Sequence, residues 1–111
     1  MKTTFESSCC ISACVARGDC GVIEISGELD IAGVPVLESA VRDLELPALR
    51  DAVLDLRRLV FVDAAGLQAV LDVYAECLCV DTTLTIIPGP RSVHRLFELT
   101  RLDRLLPFSH P

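Results

Sequence analysis

The chain has 111 residues, a formal net charge of −6, 51% hydrophobic residues and only 5% aromatic ones. That length allows one domain with one core, and a mean hydropathy of +0.49 favours folding over disorder. The acidic balance excludes the basic footprint of a nucleic-acid binder, and no apolar run approaches the roughly 18 residues of a membrane span.

Residues 1–8 are polar and lack the apolar stretch of a signal peptide, so they are expected to form a loose arm on a cytoplasmic protein. From Cys9 to Ala16 the chain is small, apolar and β-compatible. Arg17-Gly18-Asp19 supplies turn chemistry, and Cys20 to Ser26 is a second β-compatible run, so the two predict a hairpin. Gly27-Glu28-Leu29-Asp30 is expected to end it. Leu37, Ala40, Val41 and Leu44 then recur at helical spacing. Pro35 suits the first turn of that helix, where its missing N–H costs nothing, and Pro47 lies just past the end.

Ala52 to Leu56 predicts a short buried strand, Arg57-Arg58-Leu59 a connection, and Val60-Phe61-Val62 a further β segment. Leu67, Val70, Leu71, Tyr74 and Leu78 mark a second helix, with Asp63 placed to cap it. Thr82 to Ile87 is rich in β-branched residues and predicts another strand. Pro88-Gly89-Pro90 breaks the chain, and Val93, Leu96 and Phe97 predict a last short helix ending near Thr100. Leu102, Leu105, Leu106 and Phe108 should pack back on the domain. The expected fold is α/β, in the order β-β-α-β-α-β-α. Its sheet is mixed and mostly parallel, with about four to five strands, right-handed crossovers and an antiparallel hairpin at one edge. The domain spans residues 9–108, followed by a tail, residues 109–111.

Few residues could do chemistry. The six cysteines, Cys9, Cys10, Cys14, Cys20, Cys77 and Cys79, show no zinc-ligand spacing, and most are expected to be reduced core thiols. Cys77 and Cys79 are two apart on a helix and point apart. Any bridge would more plausibly involve Cys14 or Cys20. His94 is expected on the solvated side of the last helix and His110 at a frayed end. No nucleophile elbow, phosphate loop, dinucleotide fingerprint or zinc-protease pattern occurs, so no enzyme activity, cofactor or metal is expected. Arg91, Arg95, Arg101 and Arg104, interleaved with Glu98 and Asp103, predict a solvated, salt-bridged surface. Asp30 and Asp63 each follow a strand and precede a helix. Such loops collect at the carboxyl ends of parallel strands, where ligands and partners bind, though each Asp could equally serve as a helix or turn cap.

Four landmarks in order carry a family resemblance. They are Gly27-Glu28-Leu29-Asp30, Val53-Leu54-Asp55-Leu56, Phe61-Val62-Asp63-Ala64-Ala65-Gly66-Leu67, and the stretch Pro90 to Phe108 with Phe97-Glu98-Leu99-Thr100 and Leu105-Leu106-Pro107. Together they resemble the STAS domains of anti-sigma-factor antagonists over roughly residues 10–108. The resemblance implies a partner-switching regulator that binds an anti-sigma factor, often a small serine kinase, and so frees a sigma factor. It implies no membrane or nucleic-acid partner and leaves room for a weak homodimer. It assigns partner binding to Glu28, Asp30, Phe61, Asp63, Ala64, Ala65, Gly66 and Leu67. In the family a Ser or Thr following the Asp is phosphorylated, which expels the antagonist. Ala64 stands there in this chain and has no hydroxyl. Arg101 stands where the family commonly has Gly. Alternative readings are a scaffold subunit of a stress-signalling complex, a redox-gated module, or a nucleotide sensor around Asp30 and Asp63. A transporter tail is weaker still.

Overall fold

Alternating apolar residues in the first two runs let them pair, and that hairpin begins the sheet. The structure, a computed structural model, describes residues 9–15 and 18–109. The expected arm, residues 1–8, lies outside the described residues, as do Ala16 and Arg17 of the hairpin turn and His110 and Pro111 at the end. Strand β1 (Cys10–Val15) pairs antiparallel with β2 (Cys20–Leu29), from Cys10 opposite Ser26 to Val15 opposite Gly21. Helix α1 (Val34–Leu44) and a 3₁₀ turn (Leu46–Ala48) lead to β3 (Asp51–Val62), which lies parallel to β2. Helix α2 (Ala64–Cys79) crosses back to β4 (Thr83–Ile87), parallel to β3. Helices α3 (Arg91–Leu99) and α4 (Leu102–Leu105) complete the chain. The result is a mixed α/β fold with the sheet order β1-β2-β3-β4.

Two strands run further than periodicity predicts. β2 continues through Gly27 to Leu29, and β3 runs unbroken through Arg57-Arg58-Leu59. Glu24 is opposite Asp55 but Ser26 is opposite Arg58, and Gly27 is opposite Leu59 but Glu28 is opposite Phe61. Each step leaves one extra residue on β3, a bulge that re-aims the side chains beyond it. From Leu54 on, the buried apolar residues of β3 therefore run Leu54, Leu56, Leu59, Val62, with the exposed pairs Arg57-Arg58 and Val60-Phe61 among them. The break in the period of two at Arg57-Arg58-Leu59 predicts a connection, and the structure has a bulged strand there.

The core lies between the sheet and helices α1 and α2. From the sheet, Ile23, Ile25, Leu29, Leu54, Leu56 and Ile86 are buried, and from the helices Leu37, Val41, Val70 and Val73. On the opposite side of the sheet the register row Cys14, Val22, Val53, Thr85 is half-buried or exposed. Leu78, expected on the inner face of α2, is exposed, because the buried stripe runs through Gly66, Val70, Val73 and Cys77 instead. Thr82 precedes β4, and its buried hydroxyl donates to the carbonyls of Leu46 (2.8 Å) and Leu49 (3.0 Å). Among the described residues no helix is long and apolar enough to cross a membrane.

At the C-terminal end Phe97 is fully buried and Phe108 nearly so, their rings meeting edge-on at 5.1 Å. His94 is not solvated as expected. Its ring lies 4.8 Å from that of Phe108, and Nδ1 is buried with no hydrogen-bond partner. Residue Leu106 is buried but Leu105 is exposed. Among the described residues no ion pair joins Arg91, Arg95, Arg101 or Arg104 to a carboxylate, so the expected salt-bridged surface is a loose array of solvated cations. Arg101 has a left-handed backbone (φ 63°), the conformation that glycine adopts at least cost.

Candidate functional site

The carboxyl ends of β2 and β3 lie side by side, Glu28 opposite Phe61 and Leu29 opposite Val62. The chain leaves β2 through Asp30, whose carboxylate accepts from the Gly33 N–H at 3.0 Å. The Asp30 carbonyl also takes the N–H groups of Gly33 and Val34, closing the turn into α1. The chain leaves β3 through Asp63, which caps α2: its Oδ1 accepts the Gly66 N–H at 2.9 Å. The Asp63 N–H in turn donates to the Leu29 carbonyl at 3.3 Å. Gly66 is buried against that same carbonyl, so that a Cβ there would lie 2.2 Å from the Leu29 oxygen and 2.7 Å from Val62 Cγ2. Only glycine lets α2 start this close to β2.

This geometry sorts the eight candidate residues into two groups. Asp30, Asp63, Gly66 and Leu67 build the loop frame, the first two through main-chain hydrogen bonds and the last two by burial. Glu28, Phe61 and Ala64 face outward, and Ala65 is half-buried. Sequence reasoning missed three apolar neighbours of this group. Ile31 (75% exposed), Val36 (38%) and Val60 (68%) accompany Phe61 (46%) around the same end of the sheet. No local pattern marks Val60, because the bulge that leaves it and Phe61 both uncovered depends on pairing with β2. An apolar group rimmed by carboxylates is the composition of a protein-docking surface.

A second polar feature lies further back on β3. Arg57 grips Asp55 with two nitrogens, Nε to Oδ1 at 3.0 Å and Nη2 to Oδ2 at 2.8 Å. The Arg57 main-chain N–H also donates to Asp55 Oδ1 at 3.0 Å, so the carboxylate takes up a donor that lies at the bulge. Arg57 holds the Asp55 carboxyl below its ordinary range, burial opposing it. Between α1 and α2 a groove is floored by Leu37, Val41, Ala69 and Val73 and rimmed by Glu38, Arg42, Asp72 and Glu76.

The cysteines divide differently from expectation. Cys9 and Cys77 are buried, Cys20 is half-buried, and Cys10, Cys14 and Cys79 are exposed, all six as free thiols. Burial pushes the Cys77 thiol up to about 11 and raises that of Cys9 as well. Among the described residues, no three His, Cys, Asp or Glu side chains are grouped to hold a metal ion.

A four-stranded mixed sheet, entered by a hairpin and carrying a capped helix directly after its central strand, defines the STAS type of α/β domain. The chain belongs to that family: residues 12–107 match the one described as Mlab, STAS domain. It is 29% identical, over 76% of its length and 78% of the relative's, to an anti-sigma-B factor antagonist of Staphylococcus aureus. Its fold is similar to that of an anti-sigma factor antagonist from Mycobacterium paratuberculosis, with a TM-score of 0.81, 23% identity, and coverage of 100% of this chain and 92% of the other. It is also similar to the phosphorylated form of the Bacillus cell fate determinant SpoIIAA, with a TM-score of 0.69, 19% identity, and coverage of 91% and 92%.

Proposed function

We propose that this chain is an anti-sigma-factor antagonist that binds an anti-sigma factor of the serine-kinase type and so relieves inhibition of a sigma factor in the cytoplasm. Docking is through Glu28, Phe61, Ala64 and their neighbours, on the frame set by Asp30, Asp63, Gly66 and Leu67. The observation that carries this reading is an exposed Ala64 at the first turn of α2, next to an apolar group at the ends of β2 and β3. The likeness to the Staphylococcus aureus antagonist supports it.

In this reading the antagonist has lost its usual off-switch. A phosphate on the first residue of α2 would add nearly two negative charges to a surface that already carries Glu28, Asp30 and Asp63, and would disrupt a desolvated contact by repulsion. Ala64 and Ala65 accept no phosphate, so binding persists whatever the kinase does. Titrating the purified chain against each anti-sigma-like kinase of its own genome by calorimetry tests this. One partner is expected to bind at micromolar strength or better, about −8 kcal/mol. Ala64→Glu should weaken that binding at least tenfold, about 1.4 kcal/mol, without lowering the melting temperature. No binding across the panel, or binding only after Ala64→Ser, overturns the reading.

A further inference from the structure

The two edges of the sheet are treated differently. Along β4 the C-terminal segment lies as a partial fifth strand: the Ile86 N–H donates to the Pro107 carbonyl at 2.9 Å and the Ser109 N–H to the Ile86 carbonyl at 2.8 Å. Nothing comparable covers β1 among the described residues. Among the described residues, none of its main-chain groups bonds outside the ladder with β2, apart from a Ser26 hydroxyl on the Cys10 carbonyl at 3.3 Å. Proteins normally blunt a free edge with Lys, Pro or a bulge. Cys10-Ile11-Ser12-Ala13-Cys14-Val15 has no charge and no proline, and its register with β2 runs without a bulge. Five of the six residues are exposed.

We propose that β1 pairs with the β1 of a second copy of this chain, antiparallel about a two-fold axis at Ser12, joining two sheets into one of eight strands. Three features select a copy of itself as the occupant. The first is symmetry. On the open face the strand reads the same in both directions, Cys10, Ser12, Cys14, so Ser12 meets Ser12 and each Cys10 meets the other copy's Cys14. On the helix face Ile11 meets the other copy's Ala13, a large side chain against a small one. A two-fold contact requires such self-complementarity.

The second is charge. Each copy carries −6, so two can meet only where acidic groups are sparse. β1 has none; on the open face Glu24, opposite Ser12, shares a groove with Arg58, and on the helix side Asp43 is the one charged residue in the groove formed with Ile11, Pro35, Val36, Ser39 and Ala40. The third is area. Five residue pairs plus that groove fall at the small end of specific interfaces, below about 1,200 Å², which belongs to reversible association. The interface meets the proposed kinase contact only at Val36, and its test needs no kinase.

The cysteines supply a register-specific readout. In a background with Cys20→Ser and Cys79→Ser, diamide should convert the chain to a covalent dimer, each bridge passing two electrons and two thiol protons to one diamide. Cys10→Ser alone and Cys14→Ser alone should each give no dimer, because either change removes both bridges. A 1:1 mixture of the two variants should restore it through one Cys10–Cys14 bridge. Independently of thiols, sedimentation of the parent should show a mass rising with concentration towards twice the monomer. Ala13→Lys, on an exposed position, should hold it at the monomer with an unchanged melting temperature. Cross-linking of either single variant with itself, failure of the mixture, or a parent that stays monomeric overturns the proposal. So does dimerisation that begins only when residues 1–8 are removed, which would make the chain's own N-terminus the occupant of the edge.

Discussion

Gly66 shows how one missing carbon positions a functional loop. Its main-chain N–H is held by Asp63, and its Cα lies over the Leu29 carbonyl of the neighbouring strand. Gly66→Ala would place a methyl 2.2 Å from that oxygen, a backbone atom that cannot swing away. The expected loss is about 3 kcal/mol, at the upper end of overpacking costs, read from urea midpoints with the slope unchanged. Ala64, two residues earlier, is exposed, and its substitutions should touch binding and leave stability alone. The Asp63 cap was legible in the sequence because it is local. The need for glycine at Gly66 was not, since the Leu29 carbonyl it packs on belongs to the neighbouring strand. Among the outward residues Ile31 and Val60 were not legible either, being ordinary apolar side chains until tertiary structure leaves them uncovered.

At the scale of the element, β3 carries the most instructive departure. Two extra residues relative to β2 turn a simple alternation into a strand with exposed pairs, and Asp55 secures the first bulge by taking the Arg57 N–H. Removing that carboxylate leaves a donor without its partner. Asp55→Ala should cost about 1.5 kcal/mol, a figure that discounts the exposed guanidinium contact. The folded carboxyl titrates below its ordinary value, so its stabilisation is complete above about pH 4 and is lost as the pH falls through the lowered folded value. The gap in denaturation midpoint between parent and variant should therefore be full near pH 7 and narrow at about pH 2.5. A gap independent of pH would assign the effect to packing.

For the molecule as a whole, the layers decide what six cysteines do. Most were expected in the core, yet the layers bury only Cys9, beside Gly33, and Cys77, on the inner face of α2, and leave Cys10 and Cys14 exposed on β1. At low protein concentration and about pH 8, Cys10, Cys14 and Cys79 should react promptly with a thiol reagent, because their sulfurs are open to solvent. Cys20 should follow more slowly. Cys9 and Cys77 should react only on unfolding, Cys77 being held near 11 by burial. Mass spectrometry of time points gives the order. At high concentration, protection of Cys10 and Cys14 together would report pairing of the β1 edge.

Helical spacing, β-branched runs, Pro35 in the first turn of α1, and the Asp63 cap were all set by neighbours within a few residues, so the order of elements and the α/β class were readable from the sequence by itself. Only the tertiary structure decided the rest. The bulges of β3 depend on pairing with β2, some thirty residues earlier, and no local pattern records a register between distant strands. His94 lies against Phe108 because the C-terminal segment folds back along β4, a contact invisible in the helical pattern of α3. That β1 is the outermost strand among the described residues is likewise a property of strand order, which the four strands settle only by coming together.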